Sequence, residues 1–385
     1  MVRKMYARFS LLSVLLSISR ANPSTALVDC ATDVDCSLNG VCAGGSCVCD
    51  APWGGAACAA LTFAATPPSG RNIYNSSDPR NTWGGPIAGP GPDGKYHAYV
   101  PLYEKGSLWH VEATLHGVAD APAGPWDFSA RPNISSTAIN PAFLAYPNGS
   151  GGTVFSLWTA GGLLTSNSLD GPFERARGGL GATNPAPIYH GGAFYATSQA
   201  TREVLTAPTV TGPWTFYANI THPEAQGSVS EECVLLPTRA PPRRAAPPHP
   251  TPRFTPHPPT HPQARSPFLW VDTRGRWHVI NHAYNTSEFG SCGGSHVSTH
   301  FFSEDGKTWF FSDQPYGHTV TYSDGTSHTF ATLERPNLLF NAAGQPAFLT
   351  VAVDLDAGEQ CASHECCACC KFHDHAGTAV IALAV

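Results

Sequence analysis

One phrase recurs along this chain and limits what it can fold into. Its clearest copy is Ser266-Pro-Phe-Leu-Trp-Val-Asp-Thr-Arg-Gly-Arg-Trp-His-Val-Ile-Asn-His-Ala-Tyr-Asn285. Pro267 biases the residue before it towards extended backbone. Phe268 to Val271 reads as a short apolar strand, Asp272 to Gly275 as a polar turn, and Arg276 to Ile280 as an alternating, half-buried return strand. Weaker copies run from Trp83 to Tyr103, Asn140 to Trp158, Asn184 to Ser198 and Arg335 to Val353. A second phrase follows four of the five: an apolar strand, a tight turn and an aromatic residue that opens another strand. It ends at Gly124-Pro-Trp126, Gly171-Pro-Phe173, Gly212-Pro-Trp214 and Asp305-Gly-Lys-Thr-Trp309. Two hairpins make a four-stranded unit, and radial repetition of such units makes a β-propeller. The expected fold is therefore all-β with five blades; a β-sandwich is the alternative.

Composition agrees. Of 385 residues, 37 are Gly and 35 Pro, and only 13% are charged, which suits many short strands joined by turns. Sustained helical periodicity is absent. The net charge of −6, without a long acidic run, argues against nucleic acid as a partner. Arg3, Lys4 and Arg8 precede an apolar run from Phe9 to Ser19 that is too short to span a bilayer. Ser19-Arg-Ala21 or Ser24-Thr-Ala26 follows as a cleavage signal, so residues 1–26 read as a secretory signal peptide. No later apolar stretch is long enough for a transmembrane segment. Asn75, Asn133, Asn148, Asn219 and Asn285 begin Asn-x-Ser/Thr sequons, as expected for an extracellular glycoprotein.

Six cysteines crowd residues 27–60: Cys30, Cys36, Cys42, Cys47, Cys49 and Cys58. In an exported chain that density reads as a disulfide framework, although spacing alone leaves the pairing open. From Cys30 to Cys58, with Cys47-Val-Cys49-Asp-Ala-Pro-Trp53 at its centre, the stretch resembles an EGF-like module. The resemblance implies the pairs Cys30–Cys42, Cys36–Cys47 and Cys49–Cys58. Such a module serves as a spacer or as a protein contact surface. Ala43 to Ser46 offers no acidic ligand, so calcium is not expected there, and no cofactor is expected elsewhere.

Residues 61–385 are assigned to the propeller. Within them, Thr238 to Arg265 is dominated by Pro, Arg and His and cannot bury a core, so it is expected to be disordered. A genuine surface loop and an unspliced intron in the gene model are the two explanations. Five cysteines and three histidines between Cys361 and His375 read as an oxidised hairpin loop, with a soft-metal site as the alternative. Cys292 is a candidate partner for one of them, and Cys233 is the odd thiol of the total of 13.

Five blades, each with a residue-Pro pair at its first strand, resemble the arabinanase-like glycoside hydrolases of family 43, across about Leu61 to Val385. That resemblance implies carboxylates converging on a central channel, where a pair about 6.5–9.5 Å apart supports inverting hydrolysis. This chain keeps little of the set. Glu232 or Glu231 stands where the acid is expected, and Asp78 is the carboxylate nearest the first blade. Residues suited to sugar binding are Trp83 as a stacking platform, Asn140, Asn184 and Arg335 as hydroxyl partners, and His282 and His300 beside the fourth-blade strands. The expected function is a secreted, carbohydrate-active propeller, either an inverting glycosidase or a non-catalytic carbohydrate-binding or adhesion protein.

Overall fold

A computed structural model of the protein describes residues 29–74, 81–104, 111–134, 140–159, 162–180, 182, 184–198, 201–220, 265–284, 296–330, 332–354 and 376–385. Among them there is no α-helix, only two 3-10 turns, Asp33–Cys36 and Pro68–Arg71. Five antiparallel sheets are the blades. Blade one pairs Asn81–Thr82 and Ile87–Ala88 with Tyr96–Tyr103, which in turn pairs with Val111–Ala119. Blade two is Ala142–Pro147, Thr153–Thr159, Gly162–Ser166 and Glu174–Ala176. Blade three is Ala186–His190, Ala193–Ser198, Thr201–Ala207 and Thr215–Asn219. Blade four is Arg265–Val271, Trp277–Tyr284, His296–Ser303 and Phe310–Asp313. Blade five is Leu333–Phe340, Pro346–Asp354 and Ala376–Ala382.

The hairpin phrase therefore supplies the first two strands of each blade, and the second phrase the outer pair. Where that second phrase reads Gly-Pro-aromatic, the peptide is cis, at Gly124-Pro125, Gly171-Pro172 and Gly212-Pro213. In the clearest hairpin, Asp272 N–H donates to Arg276 O and Gly275 N–H to Asp272 O, with Gly275 at φ 80° as the tight turn requires.

Blade five borrows its outer edge from the start of the propeller. Ala64 N–H donates to Ala382 O and Ile73 N–H to Thr378 O, and Phe63 bridges Leu383. The ring of blades is thus fastened by two distant parts of the chain, which cover the edge of the last blade. First strands adjoin one another in order, from blade two through three and four to blade five. Apolar side chains fill the spaces between blades rather than one central core. Ala88 and Tyr99 pack with Leu157 and Leu164 between blades one and two, and Val204 with Leu269 and Val279 between three and four.

The amino-terminal module consists of the hairpin Gly40–Ala43/Ser46–Cys49 and the short pair Trp53–Gly54/Ala60–Leu61. Its bridges are Cys30–Cys42, Cys36–Cys47 and Cys49–Cys58, the pairing the EGF resemblance implies. Glu231, Glu232, Asp78, Cys233, Cys292, the 361–370 cysteines and the segment up to residue 264 all lie outside the described residues.

Candidate functional site

The residue before the first-strand proline has a positive φ in every blade. Gly85 has φ 132°, and Asn140, Asn184, Ser266 and Arg335 have φ 50°, 46°, 45° and 52°. Extended backbone before Pro267 was the expectation, and the structure corrects it: Ser266 is left-handed. Such a residue costs on the order of 1–2 kcal/mol unless it is Gly, somewhat less for Asn, and persists where its surroundings hold it.

What holds it is a hydrogen-bonded chain of the same side chains. Asn140 Nδ2 donates to Asn184 Oδ1 at 2.6 Å, and Asn184 Nδ2 donates to Ser266 Oγ at 2.9 Å. Arg335 Nη1 donates to Asn184 Oδ1 at 3.3 Å, and Tyr103 O–H donates to Asn140 Oδ1 at 3.2 Å. The structure thus brings Asn140, Asn184 and Arg335 together, with Ser266 and Tyr103 as further members that sequence reasoning did not assign. Asn184 is the hub, linking blades two, four and five.

His282 stands behind Arg335. It is fully buried, its Nδ1 accepts the Arg335 backbone N–H at 3.3 Å, and its Nε2 lies 3.8 Å from Glu334 Oε2. Glu334 is itself buried. His282 therefore positions the Arg335 backbone from behind.

Two of the other assigned residues lie elsewhere. Trp83 is 4% exposed and packs with Tyr103, Ala352 and Ala376, so it has no free face to stack on a sugar ring. His300 is fully buried on the third strand of blade four, where it pairs with Ile280 of the second strand. Its Nε2 lies 3.1 Å from Nδ1 of His278, and its ring stacks on Trp270 and Trp53.

Blade one repeats that arrangement. His97 Nδ1 lies 3.0 Å from His116 Nε2, and His116 pairs with Tyr99 as His300 does with Ile280. Burial pushes the His116 imidazole down to about 4, helped by the neighbouring His97. Burial also holds His300 well below the ordinary histidine range and lowers His278, the latter against the pull of Asp272. These pairs are hydrogen-bonded struts inside the blades. The shared sequence signal is Gly94-Lys-Tyr-His97 and Gly275-Arg-Trp-His278.

The amino-terminal module is docked on blade four through the turn of the clearest hairpin. Arg276 pairs with Asp33 and donates to Leu38 O and Gly40 O at 3.0 and 3.1 Å, and Arg274 pairs with Asp50. Cys36, Cys58, Trp53 and Leu61 share one apolar cluster with Trp270, Tyr316 and Leu333. Sequence reasoning placed Arg274 in the turn and Arg276 at the start of the return strand, and gave neither a partner.

Comparisons agree with this architecture. Residues 32–60 match the model of the Teneurin-like EGF domain. No curated protein matches the chain. Among solved structures, the catalytic domain of a GH62 α-L-arabinofuranosidase from Coprinopsis cinerea is similar at 8% identity and a TM-score of 0.51, over 84% of this chain and 98% of that one. An endo-arabinase from Bacteroides thetaiotaomicron is similar at 10% identity and a TM-score of 0.44, again over 84% and 98%. The fold is that of a five-bladed, glycosidase-like propeller preceded by an EGF-like module.

Proposed function

We propose that the chain is a secreted carbohydrate-binding propeller that holds a sugar against the side chains at its blade starts. One observation carries this reading. The five blade starts are Gly85, Asn140, Asn184, Ser266 and Arg335, and those with polar side chains form a single hydrogen-bonded set that, among the described residues, includes no carboxylate. Amides, a hydroxyl and a guanidinium exchange directed hydrogen bonds with sugar hydroxyls. None of them takes a proton as a general base. The similarity to an α-L-arabinofuranosidase supports a saccharide as the ligand class. Three disulfides in an EGF-like module support an extracellular setting, and the sequon residues Asn133, Asn148 and Asn219 are all exposed.

Hydrolysis is the second reading, with Glu232 or Glu231 as acid and Asp78 as the further carboxylate. The two readings separate on a glycan panel scored for both binding and product release. Binding without product, lost in Asn184→Ala and unaffected by Glu232→Gln, supports the first. Turnover that Glu232→Gln abolishes while binding survives establishes the second. No binding by the folded protein to any member rejects both.

A further inference from the structure

We infer that the blade-start site is built for an acidic sugar, one carrying a carboxylate, with Arg335 as the residue that recognises it. The inference rests on the sugar-binding reading and narrows it to a substrate class.

Arg335 is an expensive choice at its position. Its backbone is left-handed at φ 52°, where the equivalent residues of blades two and three are Asn and that of blade one is Gly. A long, Cβ-bearing side chain meets a steric penalty there that Gly escapes and Asn partly offsets through its short polar side chain. Nothing in the fold of blade five calls for a guanidinium, because Asn at the same place starts blades two and three. The surroundings nevertheless make room for it. Gly84 faces its stem so closely that a Cβ there would lie 3.2 Å from Arg335 Cβ and 3.4 Å from Cδ. His282 holds its backbone N–H, and Asn337 Nδ2 donates to its carbonyl at 3.1 Å.

The guanidinium head is then left with little to do inside the protein. Among the described residues its acceptor is Asn184 Oδ1, which already accepts a hydrogen bond from Asn140 Nδ2. Its Nε is buried without a partner, and among the described residues no carboxylate lies within ion-pair distance of it. Three other described arginines do have a carboxylate partner: Arg276 with Asp33, Arg274 with Asp50, Arg131 with Asp170. Glu334, the adjacent carboxylate, is spent 3.8 Å from the His282 ring. A partly desolvated guanidinium with no counter-ion is costly, and that cost is relieved when a ligand brings the anion. A planar fork of N–H donors fits a carboxylate bidentately, and the half-buried Asn140 stands in the same set to meet a sugar hydroxyl. A uronic acid residue of a polysaccharide supplies both.

The test compares tri-galacturonate and tri-glucuronate with their fully methyl-esterified forms by titration calorimetry on the full chain. Methyl esterification removes the charge and keeps the hydroxyls. The expected result is affinity for at least one acid form about tenfold or more above its ester, as a charge-assisted pair provides. That preference should shrink as salt rises from low to physiological strength, whereas ester binding should not respond. Arg335→Asn, which suits the left-handed backbone as Asn140 and Asn184 do, should keep the melting temperature. It should lose the preference for the acid, bringing acid and ester affinities to within about threefold of each other. Equal affinity for acid and ester, or an acid preference that survives in folded Arg335→Asn, overturns the inference but leaves the sugar-binding reading intact. Failure of the folded wild-type chain to bind any acidic or neutral glycan overturns that reading as well.

Discussion

Trp53, from the disulfide-bonded amino-terminal module, lies flat against His300 of blade four, with ring centroids 5.1 Å apart and 25° between the ring planes. The module is therefore seated on the propeller and shares its apolar packing. Removing the indole leaves a cavity where module and blade meet, at a typical cost of about 3–5 kcal/mol for a buried aromatic. Trp53→Ala should raise hydrogen exchange across Trp277–Tyr284 and His296–Ser303 and leave the strands of blade two unchanged. Uniform exchange in both blades would mean that the module contributes nothing to blade four.

The buried histidine pairs make stability depend on pH. His116 titrates at about 4 in the folded chain against an ordinary 6.5, and His278 and His300 are also depressed. The unfolded chain therefore binds more protons below 6.5. Stability is whole above that pH and declines as pH falls from there towards 4, by up to about 1.4 kcal/mol per pH unit for each histidine. Thermal melts from pH 7.5 to 4.5 should show a steady fall. His300→Gln keeps a donor and an acceptor for His278 but cannot take the proton, so its melting temperature should start lower and fall less steeply. Parallel slopes would exclude His300 as a contributor.

Asn184 is both a left-handed residue and the hub of the blade-start network. Asn184→Ala loses the hydrogen bonds and strains the backbone, while Asn184→Gly loses only the hydrogen bonds. Alanine should cost about 1 kcal/mol more than glycine, on top of about 1–3 kcal/mol for the orphaned buried groups. Urea denaturation of the two variants would resolve that difference, and the opposite order would show that the left-handed turn is not what selects Asn.

Gly85 begins the first blade where no side chain fits. A Cβ there would meet Tyr99 O at 2.4 Å, with φ 132° adding strain. Gly85→Ala should destabilise the chain by about 3 kcal/mol or more, since strand and backbone must shift. Gly94→Ala is the control for positive φ without crowding, because no atom lies within 4 Å of its added Cβ. Equal losses in the two variants would remove the clash as the cause.

Blades were legible in the chain because their signals are local. Residue-Pro, Gly-Pro-aromatic and a period of two mark strands and turns wherever they stand, and five repeats of them count the blades. The three disulfide pairs, which spacing alone left open, were implied by the resemblance of Cys30 to Cys58 to an EGF-like module. Residue type alone could not say which side chains reach the centre. His282 and His300 look alike in sequence, yet one braces Arg335 and the other is sealed between Trp53 and Trp270, because they stand on different strands of blade four. Arg274 reads as a turn residue and Arg276 as the first residue of a strand until the module is seen beside them. The left-handed backbone at Asn140, Asn184, Ser266 and Arg335 runs against the local preference before proline and persists where side chains from different blades hold one another. Local sequence thus determined the strands, the turns and the number of blades. The tertiary structure decided which residues meet, since contact between distant blades depends on radial position and register, which no single stretch of chain encodes.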